Sequence, residues 1–423
     1  MPDSQPQPPD GATADTAALV LCGARLADGR TVDVRLRAGR IDAVGAAGSL
    51  ASHGARVDLA GYLLLPAPAE PHAHSDTALT ALTTPVPAGP PGDCPDDARR
   101  RATEAALLQL GHGATALRSH VRIGDVGRLD RMEAVLQARR SLRGLADLTT
   151  VAVPRLLTGL AGADGLAMLR DAMKMGAGAV GGRPGLDPDP AGYLEAVLEV
   201  AAEHGCPVDL HTDGDDPAWL ARLAAMAGGL RQGVTLGPCA GLARLPADVA
   251  ARAADRLAAA GVTVVCLPQG GCGGTDERGV APVELLRAAG VRVAAGSGAL
   301  RDVSNPVGRG DPLEAAYLLA SRGGMRPEDA YGAVSTAARA AMGLPEVRVE
   351  AGSPAELMAV RGEDIAGALS LAYSRIVIHR GRVVTRTSAV REYCDSAAPL
   401  PLELPRQGRS DLGPSGQPGH PGP

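Results

Sequence analysis

The apolar and polar positions of this 423-residue chain change rhythm twice. From Ala17 to about Asp58 they alternate over short stretches: Leu19-Val20-Leu21-Cys22, Val32-Asp33-Val34-Arg35-Leu36 and Arg40-Ile41-Asp42-Ala43-Val44, with Gly29 and Gly39 between them. A period of two broken by glycine predicts short antiparallel strands. A matching set returns at Glu356–Val360, Arg375–His379 and Gly381–Val384, with Arg380-Gly381 as a hairpin signal. In the long middle the pattern is different. Tyr62-Leu63-Leu64-Leu65-Pro66 reads as a buried strand, and further apolar runs lie near 114–120, 147–153, 178–181, 206–211, 233–237, 262–267 and 291–296. Helical spacing separates them near 96–110, 129–142, 164–175, 191–204, 217–227, 246–260 and 281–289, and recurs at 311–322 and 327–342. Asp164 is an N-cap candidate, and Pro282 stands in a first turn.

Eight strands alternating with helices predict an α/β fold, a (β/α)₈ TIM barrel. Strands at both ends predict a second, composite β-sheet domain; two unrelated hairpins are the alternative. The expected boundaries are 17–61 and 346–390 for the sheet domain and 62–345 for the barrel. Residues 1–16 and 391–423 are polar, rich in Pro, Gly and Ser, and read as disordered.

Composition narrows the function classes. A net charge of −5, from 42 basic and 47 acidic residues, offers no basic field for nucleic acid or an anionic membrane. No apolar run reaches the ~18–20 residues of a membrane span, and the N-terminus has no signal-peptide core. Phe is absent and aromatics make up 2% of residues, so Leu, Val and Ala must fill the core. Cys22, Cys94, Cys206, Cys239, Cys266, Cys272 and Cys394 are scattered and odd in number. They fit reduced thiols in a cytoplasmic protein better than a disulfide framework.

The chemistry concentrates in Glu70-Pro71-His72-Ala73-His74-Ser75-Asp76-Thr77. Alternate residues of a strand share a face, so His72 and His74 can present two imidazoles to one metal ion. Gln269-Gly270-Gly271-Cys272-Gly273-Gly274-Thr275 lacks the Gly-Lys-Ser/Thr ending of a phosphate-binding loop and reads as a loop over the barrel mouth.

That stretch, together with Leu117-Arg118-Ser119-His120-Val121, Val208-Asp209-Leu210-His211-Thr212-Asp213, Arg278-Gly279, and Asp302 with Pro306 and Gly308, resembles bacterial cytosine deaminase and its relatives in the amidohydrolase superfamily. The resemblance covers roughly residues 17–386. It implies a barrel of the metal-dependent hydrolase type that acts on non-peptide C–N bonds of a small heterocycle or amide. In that family one divalent ion, zinc or iron, is held by the His-x-His of strand one, a His after strand five and an Asp after strand eight. A Glu past the strand-five His moves protons, and a His after strand six assists.

Here the resemblance carries over His72, His74 and His211 as metal ligands. The proton-moving Glu falls on Gly214, the strand-six His on Pro238 and the metal-binding Asp on Gly298. The base-recognition positions fall on Arg155 and Ser304, with His120 as a further pocket residue or a satisfied strand histidine. Glycine and proline side chains can neither bind a metal nor carry a proton. The candidate substitutes are Asp213, Asp215 and Asp216 for the acid or base, with loop or helix-cap roles as the alternative. Cys239 is a candidate fourth ligand or a buried structural cysteine. Lys174, the only lysine, sits in a helix and does not suit a carboxylated-lysine bridge between two metals.

Three functional readings follow. The first is a family member with a degraded site, unable to deaminate cytosine, its metal weakly held or absent. The second is an active hydrolase with a rebuilt mononuclear site, with Arg155 meeting an anionic substrate. The third is a non-catalytic partner subunit. A homo-oligomer or partner protein is expected in any case.

Overall fold

The computed structural model describes residues 18–51, 54–81, 94–124, 129–160, 162–270, 279–371 and 374–389. The expected disordered ends, most of the Gln269–Thr275 loop, Arg278, Cys272 and Cys394 lie outside these described residues.

The chain opens with β1 (Leu19–Arg25), β2 (Thr31–Arg37), β3 (Arg40–Ala46), β4 (Ala55–Asp58) and β5 (Tyr62–Pro66). β1, β2 and β3 form an antiparallel meander, and β4 lies parallel to β1. The β2–β3 turn, Ala38-Gly39, has both residues at positive φ, 50° and 75°. That geometry matches the right-handed twist of a two-residue hairpin.

Eight parallel strands follow in sequence order: β6 (Ala69–Ala73), β7 (Ala116–Ile123), β8 (Asp147–Pro154), β9 (Ala179–Gly182), β10 (Val208–Thr212), β11 (Val234–Pro238), β12 (Thr263–Cys266) and β13 (Arg292–Ala295). Helices connect them at Pro95–Gly111, Asp130–Ser141, Gly162–Met175, Pro190–His204, Pro217–Ala227, Ala247–Ala259 and Val283–Ala288. The result is a nearly closed barrel wrapped in helices. At the β6–β13 seam a buried carboxylate makes the connection: Glu70 accepts hydrogen bonds from Ser297 N at 2.8 Å, from Ser297 Oγ and from His72 N at 3.0 Å. A Cβ on Gly296 would lie 2.5 Å from Glu70 Oε1, so this join requires glycine.

β14 (Leu357–Arg361), β15 (Arg375–His379) and β16 (Arg382–Thr387) then return to the first sheet, whose order is β16-β15-β14-β5-β1-β2-β3. The Arg380-Gly381 turn joins β15 to β16 as expected, with φ of 49° and 75°.

The expectation for residues 62–66 needs correction. They are not the first barrel strand; β5 pairs antiparallel with β14, and the barrel begins at β6. The triple leucine serves two cores. Leu63 and Leu65 pack into the large barrel–helix core, and Leu64 into the core of the terminal sheet. A strand buried on both faces loses its alternation and reads like a parallel barrel strand. The expected helix at 327–342 is two helices, Pro327–Val334 and Thr336–Ala341, which meet at Ser335. With few aromatics, Leu, Val and Ala fill the interior; two tyrosines are buried among them, Tyr193, whose hydroxyl donates to Pro154 O at 2.7 Å, and Tyr331, whose hydroxyl donates to Pro66 O at 2.6 Å.

Candidate metal centre

Three strands carry polar side chains at i and i+2 where apolar ones would be expected: His72 with His74 at the end of β6, Arg118 with His120 on β7, and Asp209 with His211 on β10. Strand periodicity points each pair to one face. In a barrel this stacks them in two levels around the axis. In the lower level Arg118 Nη1 donates to Asp209 Oδ2 at 3.0 Å and lies 3.4 Å from Thr235 Oγ1. Four imidazoles form the upper level. His72 Nε2 is 3.0 Å from His211 Nε2, which is 3.3 Å from His74 Nε2. The ring of His120 centres 4.0 Å from that of His72 and 4.5 Å from that of His211. One nitrogen from each of the four rings falls within 4.8 Å of every other.

Burial and mutual repulsion disfavour the charged form of three of these rings. Desolvation, followed by the charge of neighbouring histidines and of Arg183, pushes the pKa values of His72, His74 and His211 well below the ordinary imidazole value. Burial acts to raise the pKa of Asp209, but the charges of His120 and Arg118 outweigh it and hold this carboxyl well below the usual range. Glu70 goes the other way: desolvation raises it despite its three donors.

The cluster is polar but unsatisfied. His72 Nδ1, His211 Nδ1, both nitrogens of His120 and Asp209 Oδ1 are buried without a hydrogen-bond partner. Asp209 Oδ1 is 3.2 Å from His120 Nε2, close enough for charge attraction but not aligned as a hydrogen bond. Neutral imidazoles with unused electron pairs are the donor set a divalent transition metal takes. Four ligands about 2.0–2.1 Å from one zinc in a tetrahedron lie roughly 3.3–3.4 Å apart. The two measured nitrogen separations fall at or just below that spacing, so the cluster can hold a metal ion.

A cleft of about 400 Å³ opens beside His211 at the C-terminal ends of β9, β10 and β11. Arg183, Asp213, Asp216, Trp219 and Pro238 line it. It occupies the face where barrel enzymes place their sites.

The other sequence candidates are placed as follows. Asp213 reaches the cleft but is tied down: Oδ1 accepts from Gly241 N at 2.9 Å and Oδ2 pairs with Arg244. Asp215 is exposed, 3.8 Å from Arg244. Asp216 caps the helix Pro217–Ala227, accepting from Ala218 N and Trp219 N. Cys239 is fully buried in the apolar core and stands outside the four-nitrogen group; burial pushes its thiol pKa far up, away from the thiolate a metal needs. Arg155 and Ser304 are exposed and do not line the cleft.

Gly214 has φ 76°, and a Cβ there would lie 3.1 Å from Leu242 Cγ, so a side chain at this position is strained as well as absent. Gly298 is likewise left-handed, φ 66°. His120 was expected at the pocket, but its place among the other three rings was missed, as was the role of Asp209. The signal was available: polar residues at i and i+2 in a buried strand mark a face that is not ordinary core.

The sequence of this chain matches the model of the amidohydrolase family over residues 95–385. The chain belongs to that family, and the barrel with its terminal sheet is the fold of deaminase-like members. A pterin deaminase of Rhizobium rhizogenes is 29% identical over 314 residues, which span 69% of this chain and 70% of that protein. The crystal structure of N-isopropylammelide isopropylaminohydrolase from Burkholderia multivorans superposes with a TM-score of 0.77 at 26% identity, covering 89% of this chain and 100% of that one. A 5-methylcytosine deaminase from Klebsiella pneumoniae, solved with phosphonocytosine, superposes with a TM-score of 0.76 at 23% identity over 89% of this chain and 100% of that one.

Proposed function

We propose that this protein is a cytosine-deaminase-like member of the family that keeps a divalent metal and a heterocycle-sized cleft but has lost hydrolytic deamination. The observation that carries this reading is the state of the carboxylates around the histidines. Asp209 is held by Arg118, Glu70 by Ser297 and the His72 amide, Asp76 by Arg122, and Asp213 by Gly241 N and Arg244. A proton shuttle must reach both the attacking water and the leaving nitrogen, and each of these carboxylates has at least one oxygen held by a structural partner. The proton-moving Glu and the assisting His of the resembled family fall on Gly214 and Pro238, and its metal-binding Asp falls on Gly298. Losing one general acid or base costs ~10²–10⁴ in rate, and here several losses coincide. The metal would supply Lewis acidity; this chain's residues would bind and orient a ligand beneath Arg183 and Trp219 without moving its protons.

A second reading, a working hydrolase of non-peptide C–N bonds, is favoured by one contact. Asp213 and His211 line the same cleft, and Asp213 would become the acid–base group if Arg244 released it. The two readings separate in one assay. The purified chain, loaded with zinc or iron, is tested for ammonia or amine release from cytosine, 5-methylcytosine, pterin and N-isopropylammelide beside His72→Ala. The first reading expects about one metal ion per chain and release no faster than the variant. Release by the parent that disappears in His72→Ala would replace it with the second.

A further inference from the structure

We infer that His120 is the fourth ligand of this metal centre. The inference rests on the reading that the histidine cluster holds a metal. In the family pattern the fourth protein ligand comes from the end of strand eight, and that position here is Gly298. Nothing at the end of β13 replaces it: Ser297 is committed to Glu70, Ala299 is apolar, and Asp302 is used by Thr77 Oγ1 and by the Ser304 and Asn305 amides. The replacement stands across the barrel, on β7. His120 is 1% exposed, and one of its nitrogens belongs to the mutually close group formed with His72, His74 and His211. Neither of its nitrogens has a hydrogen-bond partner, a costly state for a buried imidazole unless something else takes the electron pair.

Its surroundings are those of a metal-ligating histidine. The Asp209 carboxylate, 3.2 Å from Nε2, is anchored in turn by Arg118 at 3.0 Å. Metal binding through one ring nitrogen would leave the other an N–H for this carboxylate to take up. A carboxylate ligand has thus given way to an imidazole, and the nearest negative charge stands one step back, on Asp209.

The test uses the full chain with Co(II) as a visible probe. The parent should take up about one Co(II) per chain. His120→Ala should bind Co(II) on the order of 10–100-fold more weakly or worse, since even partners one step removed from a ligand cost that much. The Co(II) it does bind should show an altered absorption spectrum, because a nitrogen ligand has been lost. His120→Asn, with circular dichroism on the metal-free protein, covers the case in which the alanine variant does not fold. Unchanged affinity and spectrum in the His120 variants would overturn the inference and leave the metal itself standing. A parent that takes up no Co(II) would overturn both this inference and the reading beneath it.

Discussion

Two buried polar networks in this protein are built from similar groups and finished differently. One joins the terminal sheet to the barrel. Arg375 of β15 meets Asp311 through two parallel hydrogen bonds of 2.8 and 2.7 Å and donates again to His112 O at 2.6 Å. Asp311 also caps the helix Pro312–Arg322 through Leu313 N. The other network is the histidine cluster, where five buried nitrogen and oxygen atoms on His72, His120, His211 and Asp209 have no partner. Each unmet buried polar atom costs free energy on every folding event, which favours a network that closes on itself. Five unmet atoms gathered around one group of imidazoles are placed to take up a ligand.

Three measurements press on that contrast. The largest effect is expected at the closed network. Arg375→Ala would strand the Asp311 carboxylate in the interior, and breaking a buried pair from one side costs about 3–5 kcal/mol. Chemical denaturation of the variant, read by circular dichroism, checks it; a change within the range of surface substitutions would mean that the junction is not structural.

A smaller effect of opposite sign is expected at the open network. Zinc at 100 times its dissociation constant should stabilise the native state by roughly 2.7 kcal/mol. The stabilisation should vanish in His72→Ala/His211→Ala. Thermal melts with and without zinc read it directly. Equal zinc responses in parent and double variant would remove the distinction between the two networks.

The smallest effect is on pH dependence. Burial raises the pKa of Asp311, but the hydrogen bonds and charge of Arg375 outweigh this and leave it below the ordinary aspartate range. A carboxyl depressed on folding stabilises the native state above its unfolded pKa and loses that contribution as pH falls through the folded one. Stability of the parent should therefore decline below about pH 4. Asp311→Asn, which keeps the helix cap, should flatten part of that slope. Parallel slopes in the two proteins would place the acid sensitivity elsewhere.

The comparison extends to the barrel's own rim. The ends of β6, β7 and β10 carry the imidazoles, whereas Pro238 and Gly298 stand at the ends of β11 and β13. What was lost is proton transfer and the strand-eight ligand; what was kept is a set of nitrogen donors.

Most of the architecture could be read from the residues alone. Strand–helix alternation between 114 and 296 marks a parallel barrel because crossover helices bury both faces of each strand. The paired alternating segments mark a sheet from both ends because only a half-solvated strand keeps a period of two. The retained and missing site positions were equally visible, since Gly214, Pro238 and Gly298 have no side chain able to do the chemistry. Three matters were decided only by the tertiary structure. Tyr62–Pro66 went to the terminal sheet because it faces two cores, which local hydrophobicity cannot tell from one barrel interior. Asp213 and Asp216 became structural because Arg244, Gly241 and a helix N-terminus reached them first. His120 joined the other three histidines because barrel closure brings strands two and five to one axis. Sequence spacing carries the period of a strand but not the curvature of the sheet, and it is the curvature that puts residues 72, 120 and 211 in contact.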